Sequence, residues 1–75
     1  MYHPIEFCTD FTLDLEVSPK HRLERVRIRK GTRVAAGVLP YVVETDQGPV
    51  EVADLCFEDG SVARRVPFEQ FRFVE

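Results

Sequence analysis

The chain has no tryptophan, one methionine and only two cysteines in 75 residues. It also lacks any apolar run near the ~20 residues that a membrane-spanning helix needs. The first residues, MYHPIEF, have neither a basic start nor an apolar core, so no signal peptide is expected. Cys8 and Cys56 have no motif spacing, which excludes a disulfide framework and points to reduced thiols in the cytoplasm. Structural zinc sites use close pairs such as C-x2-4-C or H-x3-5-H. Of His3, Cys8, His21 and Cys56 only the first two are near one another, so no metal or other cofactor is expected. Cys56 has no neighbouring histidine and reads as an inert thiol. Ser61 and the pair Glu58-Asp59 read as turn residues, not as a nucleophile or an acid–base pair. A domain this small buries only about 60–65% of its unfolded surface. That leaves little room for an enclosed substrate pocket of about 300–1,000 Å³. The expectation is a single domain over residues 1–75 that binds without catalysing.

What the chain does have is valine and six phenylalanines, a composition that favours strands. The clearest unit spans residues 50–66, VEVADLCFEDGSVARRV, with Asp59-Gly60 at its centre. Asp-Gly between apolar runs predicts a hairpin with a type I′ turn. Leu55 and Phe57 fall on one face before the turn, and Val62 and Val66 on the same face after it. A two-stranded hairpin is not stable alone, so the remaining segments must cover it.

Those segments read in order as follows. Residues 1–9 form an arm anchored by Ile5 and Phe7, with His3 held extended by Pro4. Residues 10–17 alternate: Phe11, Leu13, Leu15 and Val17 are apolar, and Thr12, Asp14 and Glu16 are polar. That period of two predicts a strand, with a short helix capped by Asp10 as the alternative. Ser18-Pro19 ends this element. Residues 23–30 form the next strand, with Val26 and Ile28 on one side and Arg25, Arg27 and Arg29 on the other. Gly31-Thr32 is a turn. Residues 33–45 run extended, and Gly37 with Pro40 predicts a bulge or bend. Residues 46–49 form a loop. Pro67 suits the start of a single helical turn, and Phe71, Phe73 and Val74 make a closing strand. The fold class is mainly β: a five- to six-stranded small barrel, Sm-like or SH3-like, with a short N-terminal helix as an option.

Charge is divided along the chain, although the net charge is only −3. Seven of the ten basic residues lie between Lys20 and Arg33. Arg25, Arg27 and Arg29, flanked by Lys20, Arg22, Lys30 and Arg33, form a row that can track a phosphate backbone, with Tyr2 and Tyr41 as stacking candidates. The competing reading pairs these arginines with Asp14, Glu16 or Glu24 on a solvated face, and the acidic balance of the whole domain favours it. In the second half Glu51, Asp54, Glu58 and Asp59 can face a basic groove on a partner protein.

The opening Tyr2-His3-Pro4-Ile5, then Cys8, then Asp10-Phe11 resembles the start of the Rof family. His21, the apolar positions Leu23, Val26 and Ile28, and the Gly31 turn follow in the order of that family. The resemblance implies an Sm-like barrel with an N-terminal helix, where the periodicity of residues 11–17 gives a strand. It also implies a regulator that binds the transcription terminator Rho and competes for its RNA-binding surface, without chemistry or cofactor. Asp10, Asp14, Glu16, Glu51, Asp54 and Glu58 would be the partner-binding residues. Two alternatives remain: a single-strand nucleic-acid binder using Arg25, Arg27, Arg29, Lys30 and Arg33, and an accessory domain that self-associates through edge strands.

Overall fold

The computed structural model describes residues 1–17 and 22–74. The Ser18-Pro19 break, Lys20 and His21 lie outside the described residues. Seven strands form one antiparallel sheet: β1 His3–Phe7, β2 Phe11–Val17, β3 Arg22–Ile28, β4 Arg33–Thr45, β5 Gly48–Phe57, β6 Val62–Pro67 and β7 Phe71–Phe73. Their order in space is β3-β2-β6-β5-β4-β1-β7, and the sheet curls into a half-barrel. A single 3₁₀ turn, Phe68–Gln70, follows Pro67. The small β-barrel expectation holds, with one strand more than the five or six counted.

The extra strand is the N-terminal segment. Residues 1–9 are not an arm on the barrel; β1 lies inside the sheet between β4 and β7. Pro4 has no N–H to donate to a ladder. Its carbonyl accepts from Val74 N–H at 3.0 Å, so its missing donor faces the β7 side. The β1–β7 ladder runs only from Ile5 to Phe7, so no ladder bond is lost at Pro4.

Residues 11–17 form a strand and not the helix left as the alternative. Leu13 is buried while Thr12 and Asp14 are exposed, as alternation requires. Asp10 caps no helix: its Oδ1 accepts from Lys30 N–H at 2.6 Å and ties the two ends of the β2–β3 hairpin.

The Asp59-Gly60 hairpin is present, but its turn is not type I′. Only Gly60 has positive φ there, at 90°. Gly60 N–H donates to Phe57 O and Phe57 N–H to Ser61 O. This is a three-residue loop with a left-handed glycine in the bulge position. Asp59 Oδ1 accepts from both Ser61 N–H and Ser61 Oγ–H, which makes the acid at this turn structural.

Gly37 and Pro40 produce no bulge. The β4–β5 ladder is continuous from Ala36↔Phe57 to Thr45↔Gly48. Beyond Ala36, β1 no longer covers β4, so Pro40 sits where the strand has one neighbour. The bulge lies in β6 instead. Ala53 pairs with Val66 and Leu55 with Ala63, so two steps on β5 match three on β6. Arg65 takes up the extra residue at φ 57°, the only non-glycine with positive φ among the described residues. The bulge inverts the alternation, so Ala63 and Val66 enter the core while Val62 stays outside it.

The core comprises Ile5, Phe7, Leu13, Leu55, Val66 and Phe71, with Ala36, Ala53 and Ala63 fully buried among them. The three alanines lie on the adjacent strands β4, β5 and β6. Small side chains on the inner face let the sheet curl there without steric conflict.

Candidate functional site: a divided charge surface and a projecting ribbon

Half of the six acidic residues expected to meet a partner are held by the chain's own cations. Asp14 pairs with Arg25 at 3.2 Å, directly opposite it across the β2–β3 ladder. Glu16 takes Arg64 at 2.7 Å. Asp54 accepts from Arg64 at 3.3 Å, from Tyr41 Oη–H at 2.8 Å and from Arg65 N–H at 3.1 Å. Asp54 therefore closes the β6 bulge, meeting the backbone donor that the extra residue leaves without a ladder partner. The hydrogen bond to Asp54 raises the Tyr41 pKa, and the contact with Glu16 raises that of Arg64. With Asp10 on the Lys30 amide, four of the six expected partner-binding acids are engaged internally. Glu51 and Glu58 are exposed, and their side chains make no hydrogen bond or ion pair among the described residues.

The basic row is divided in the same way. Arg25 is committed to Asp14, and Arg33 to Glu6 at 2.7 Å. Arg27 and Arg29 have no acidic partner among the described residues, and Lys30 contributes its backbone to Asp10. Arg25 and Arg27 lie on β3, an edge of the sheet, and Arg29 follows directly after the strand. Charged side chains on an edge strand oppose pairing with another chain.

Sequence reading missed a ribbon. β6 leaves β5 after the Val52↔Pro67 pair and β1 leaves β4 after Ala36. Residues 41–51 therefore project as two strands paired only with each other. Thr45 Oγ1 closes the tip, donating to Gly48 O at 2.6 Å and accepting from Gln47 N–H at 3.2 Å. Tyr41, Val42 and Val50 are exposed along it, Val42 by 59%. Glu44, Asp46 and Glu51 are exposed as well. No Lys, Arg or His occurs from residue 34 to residue 63, and that cation-free run was the available signal. At the base of the ribbon Glu51 borders an apolar groove of about 620 Å³ lined by Val38, Pro40, Phe68 and Phe73. Glu58 borders a second apolar hollow of about 300 Å³, with Leu15, Ile28 and Phe57 in its wall.

Among the described residues no three His, Cys, Asp or Glu side chains gather to hold a metal ion. Both cysteines are free and half-buried. No described helix is long and apolar enough to cross a membrane.

Two carboxyls lie below the usual range. The Arg33 guanidinium lowers Glu6, as does Arg72, whose Nη2 lies 3.1 Å from Glu6 Oε2, and the two Ser61 hydrogen bonds lower Asp59. A carboxyl lowered by folding stabilises the fold above its unfolded pKa and ceases to as pH falls through the folded one. The melting temperature should therefore fall on acidification below about pH 4. Glu6→Gln should flatten part of that fall; calorimetry from neutral to acid pH checks it, and an unchanged profile would refute the role given to Glu6.

Comparison of the chain with protein families, with curated proteins and with solved structures gave no match.

Proposed function

We propose that this chain is a non-enzymatic binding module whose ribbon, residues 41–51, engages a basic surface on a protein partner. The observation that carries this reading is the ribbon itself: a projecting, cation-free pair of strands with exposed valines and a tyrosine. A two-stranded ribbon is marginal on its own, and one that also exposes apolar side chains gains from a partner that covers them. Its carboxylates supply steering and register against a basic groove. The resemblance to Rof proteins names such a partner, the RNA-accepting surface of Rho, and an Sm-like relation of the barrel belongs to the same reading. The acids that matter are then Glu44, Asp46 and Glu51 more than Asp14, Glu16 or Asp54, which serve the fold.

The test is binding of the chain to purified Rho, with and without a competing single-stranded RNA. The expected result is binding that RNA displaces and that the triple variant Glu44→Lys, Asp46→Lys, Glu51→Lys weakens at least tenfold, the loss of about 1.4 kcal/mol or more. Asp14→Lys should weaken it much less. Absence of binding to Rho sinks the named partner. A second reading rests on Arg27 and Arg29, which lack acidic partners among the described residues. Direct binding of RNA with a steep salt dependence would favour it.

A further inference from the structure

Strand β4 carries a row of side chains out of the core. Ala36, Val38, Pro40 and Val42 share one face, because alternate residues of a strand do. Ala36 is fully buried, Val38 is half-buried, and Pro40 and Val42 are exposed. β1 covers β4 only as far as Ala36. Past that point the C-terminal segment flanks the row. Phe68 from the 3₁₀ turn and Phe73 from β7 form the groove at the base of the ribbon together with Val38 and Pro40. Phe73 is 54% exposed. His3 stands T-shaped against its ring at 5.9 Å and Phe71 at 6.1 Å, and Phe71 in turn packs 5.1 Å from Phe68. The groove therefore has a wall of linked aromatic rings that solvent reaches.

The only carboxylate in this wall has nothing to neutralise it. Glu51 lies directly across the ladder from Val42 and lines the groove, and its side chain has no partner among the described residues. No described Lys or Arg lines the groove. The cation next to Phe73 in sequence, Arg72, lies opposite Glu6 in the β1–β7 ladder and is held by it, on the face away from Phe73. An apolar trough with aromatic walls and one unpaired carboxylate suits a side chain with a long apolar stem and a cationic head. The faces of aromatic rings attract such a head. A guanidinium suits it better than an ammonium. It is planar and more weakly hydrated, it stacks on rings, and it can meet a carboxylate through two parallel hydrogen bonds.

We infer that this groove receives an arginine side chain of a protein partner, its stem along Val38 and Pro40 beside the phenylalanines and its guanidinium at Glu51. Continuity supports a protein over free arginine. The row runs on through Val42, 59% exposed, into the ribbon, so residues on either side of the arginine also find apolar surface to cover. The inference deepens the ribbon reading and rests on it, since it names the side chain that a basic partner surface offers at Glu51.

The probe is the blocked pentapeptide acetyl-Ala-Val-Arg-Val-Ala-amide, compared with the same peptide carrying citrulline, which has the shape of arginine without its charge, or lysine. Amide shifts of the protein are followed by NMR at pH 8, where histidine is ordinarily neutral. The expected result is saturable shifts at Val38, Glu51 and Phe73 with the arginine peptide at about millimolar concentration. The citrulline peptide should bind about tenfold more weakly, the loss of one charge-assisted contact, and the lysine peptide between the two. Glu51→Gln should make the arginine and citrulline peptides equal. Asp46→Asn, at the ribbon tip and outside the groove, should leave arginine preferred. No shift at these amides, equal binding of arginine and citrulline to the unsubstituted protein, or the same loss from Asp46→Asn as from Glu51→Gln overturns the inference. Equal binding of lysine overturns the choice of arginine. An arginine-selective groove without binding to Rho sinks the named partner alone, and binding to Rho without arginine selectivity sinks the groove alone.

Discussion

Phe7→Ala should cost the chain about 3–5 kcal/mol and move its urea midpoint far toward zero. Phe7 is 1% exposed and sits in the core beside Ile5 and Phe71. Its ring lies 5.4 Å from that of Phe11, which joins β1 to the start of β2. Its backbone binds Thr32 and Gly31 at the turn before β4. Removing a buried phenylalanine costs about 3–5 kcal/mol. A domain of this size has about 4–11 kcal/mol in all, at roughly 0.05–0.15 kcal/mol per residue. The substitution therefore removes between about a quarter of the stability and all of it. Urea unfolding followed by circular dichroism measures this, with Phe7→Leu as the control expected to lose less than about 1.5 kcal/mol. A sigmoidal Phe7→Ala transition near the original midpoint would mean that β1 is not integral to the core.

Asp54→Ala should cost about 2–3 kcal/mol, although the residue is polar and lies outside the core. One carboxylate accepts from the Arg65 amide, the Arg64 guanidinium and the Tyr41 hydroxyl. Its side chain is 18% exposed. Hydrogen bonds to a charged group are worth about 1.5–3 kcal/mol, and here the loss also strips the bulge of its acceptor. At about 4–8 °C per kcal/mol for a domain this small, the melting temperature should drop by about 10–20 °C. Asp54→Asn keeps an oxygen acceptor and should lose about half as much. Arg65→Gly has the opposite sign: relief of a left-handed residue, worth about 1–2 kcal/mol, offsets the added freedom of the unfolded chain, about 0.5–1 kcal/mol. It should leave the melting temperature unchanged or slightly raised, while Arg65→Ala, which keeps its Cβ at the same φ, should not raise it. If Asp54→Ala melts with the unsubstituted protein, the bulge does not depend on its acceptor.

The same geometry explains why acidic residues alike in sequence differ in role. Asp14 lies on β2 opposite Arg25 of β3, and Glu16 reaches Arg64, two residues along β6 from its own ladder partner Val62, so neighbouring strands neutralise both. Glu44 and Glu51 lie where the β4–β5 pair has run past both its neighbours. No cation lies within that stretch of chain, and neither carboxylate has an ion-pair partner among the described residues. The charge surface of this protein is therefore set by where ladders end.

Several features were legible in the residues alone. Strict alternation over residues 11–17 determined a strand, because a period of two can bury only one side of a sheet. Valine and phenylalanine enrichment, and Asp-Gly between apolar runs, determined an antiparallel sheet of tight hairpins. The placement of Val26 and Ile28 opposite Arg25 and Arg27 also followed, since it needs only local geometry. Tertiary structure decided the rest. The N-terminal segment became a strand because β4 and β7 offered it edges, and no local propensity records an edge supplied by residues about 30 and 70 positions away. Arg65 absorbs a bulge because the β5 and β6 registers differ by one residue, and Asp54 accepts from the amide that the bulge leaves without a ladder partner. Which acids are free, which are paired, and where β2 parts from β6 all depend on ladder ends. A ladder ends where the partner strand turns away, and that is a property of the assembled sheet and of no single stretch of chain.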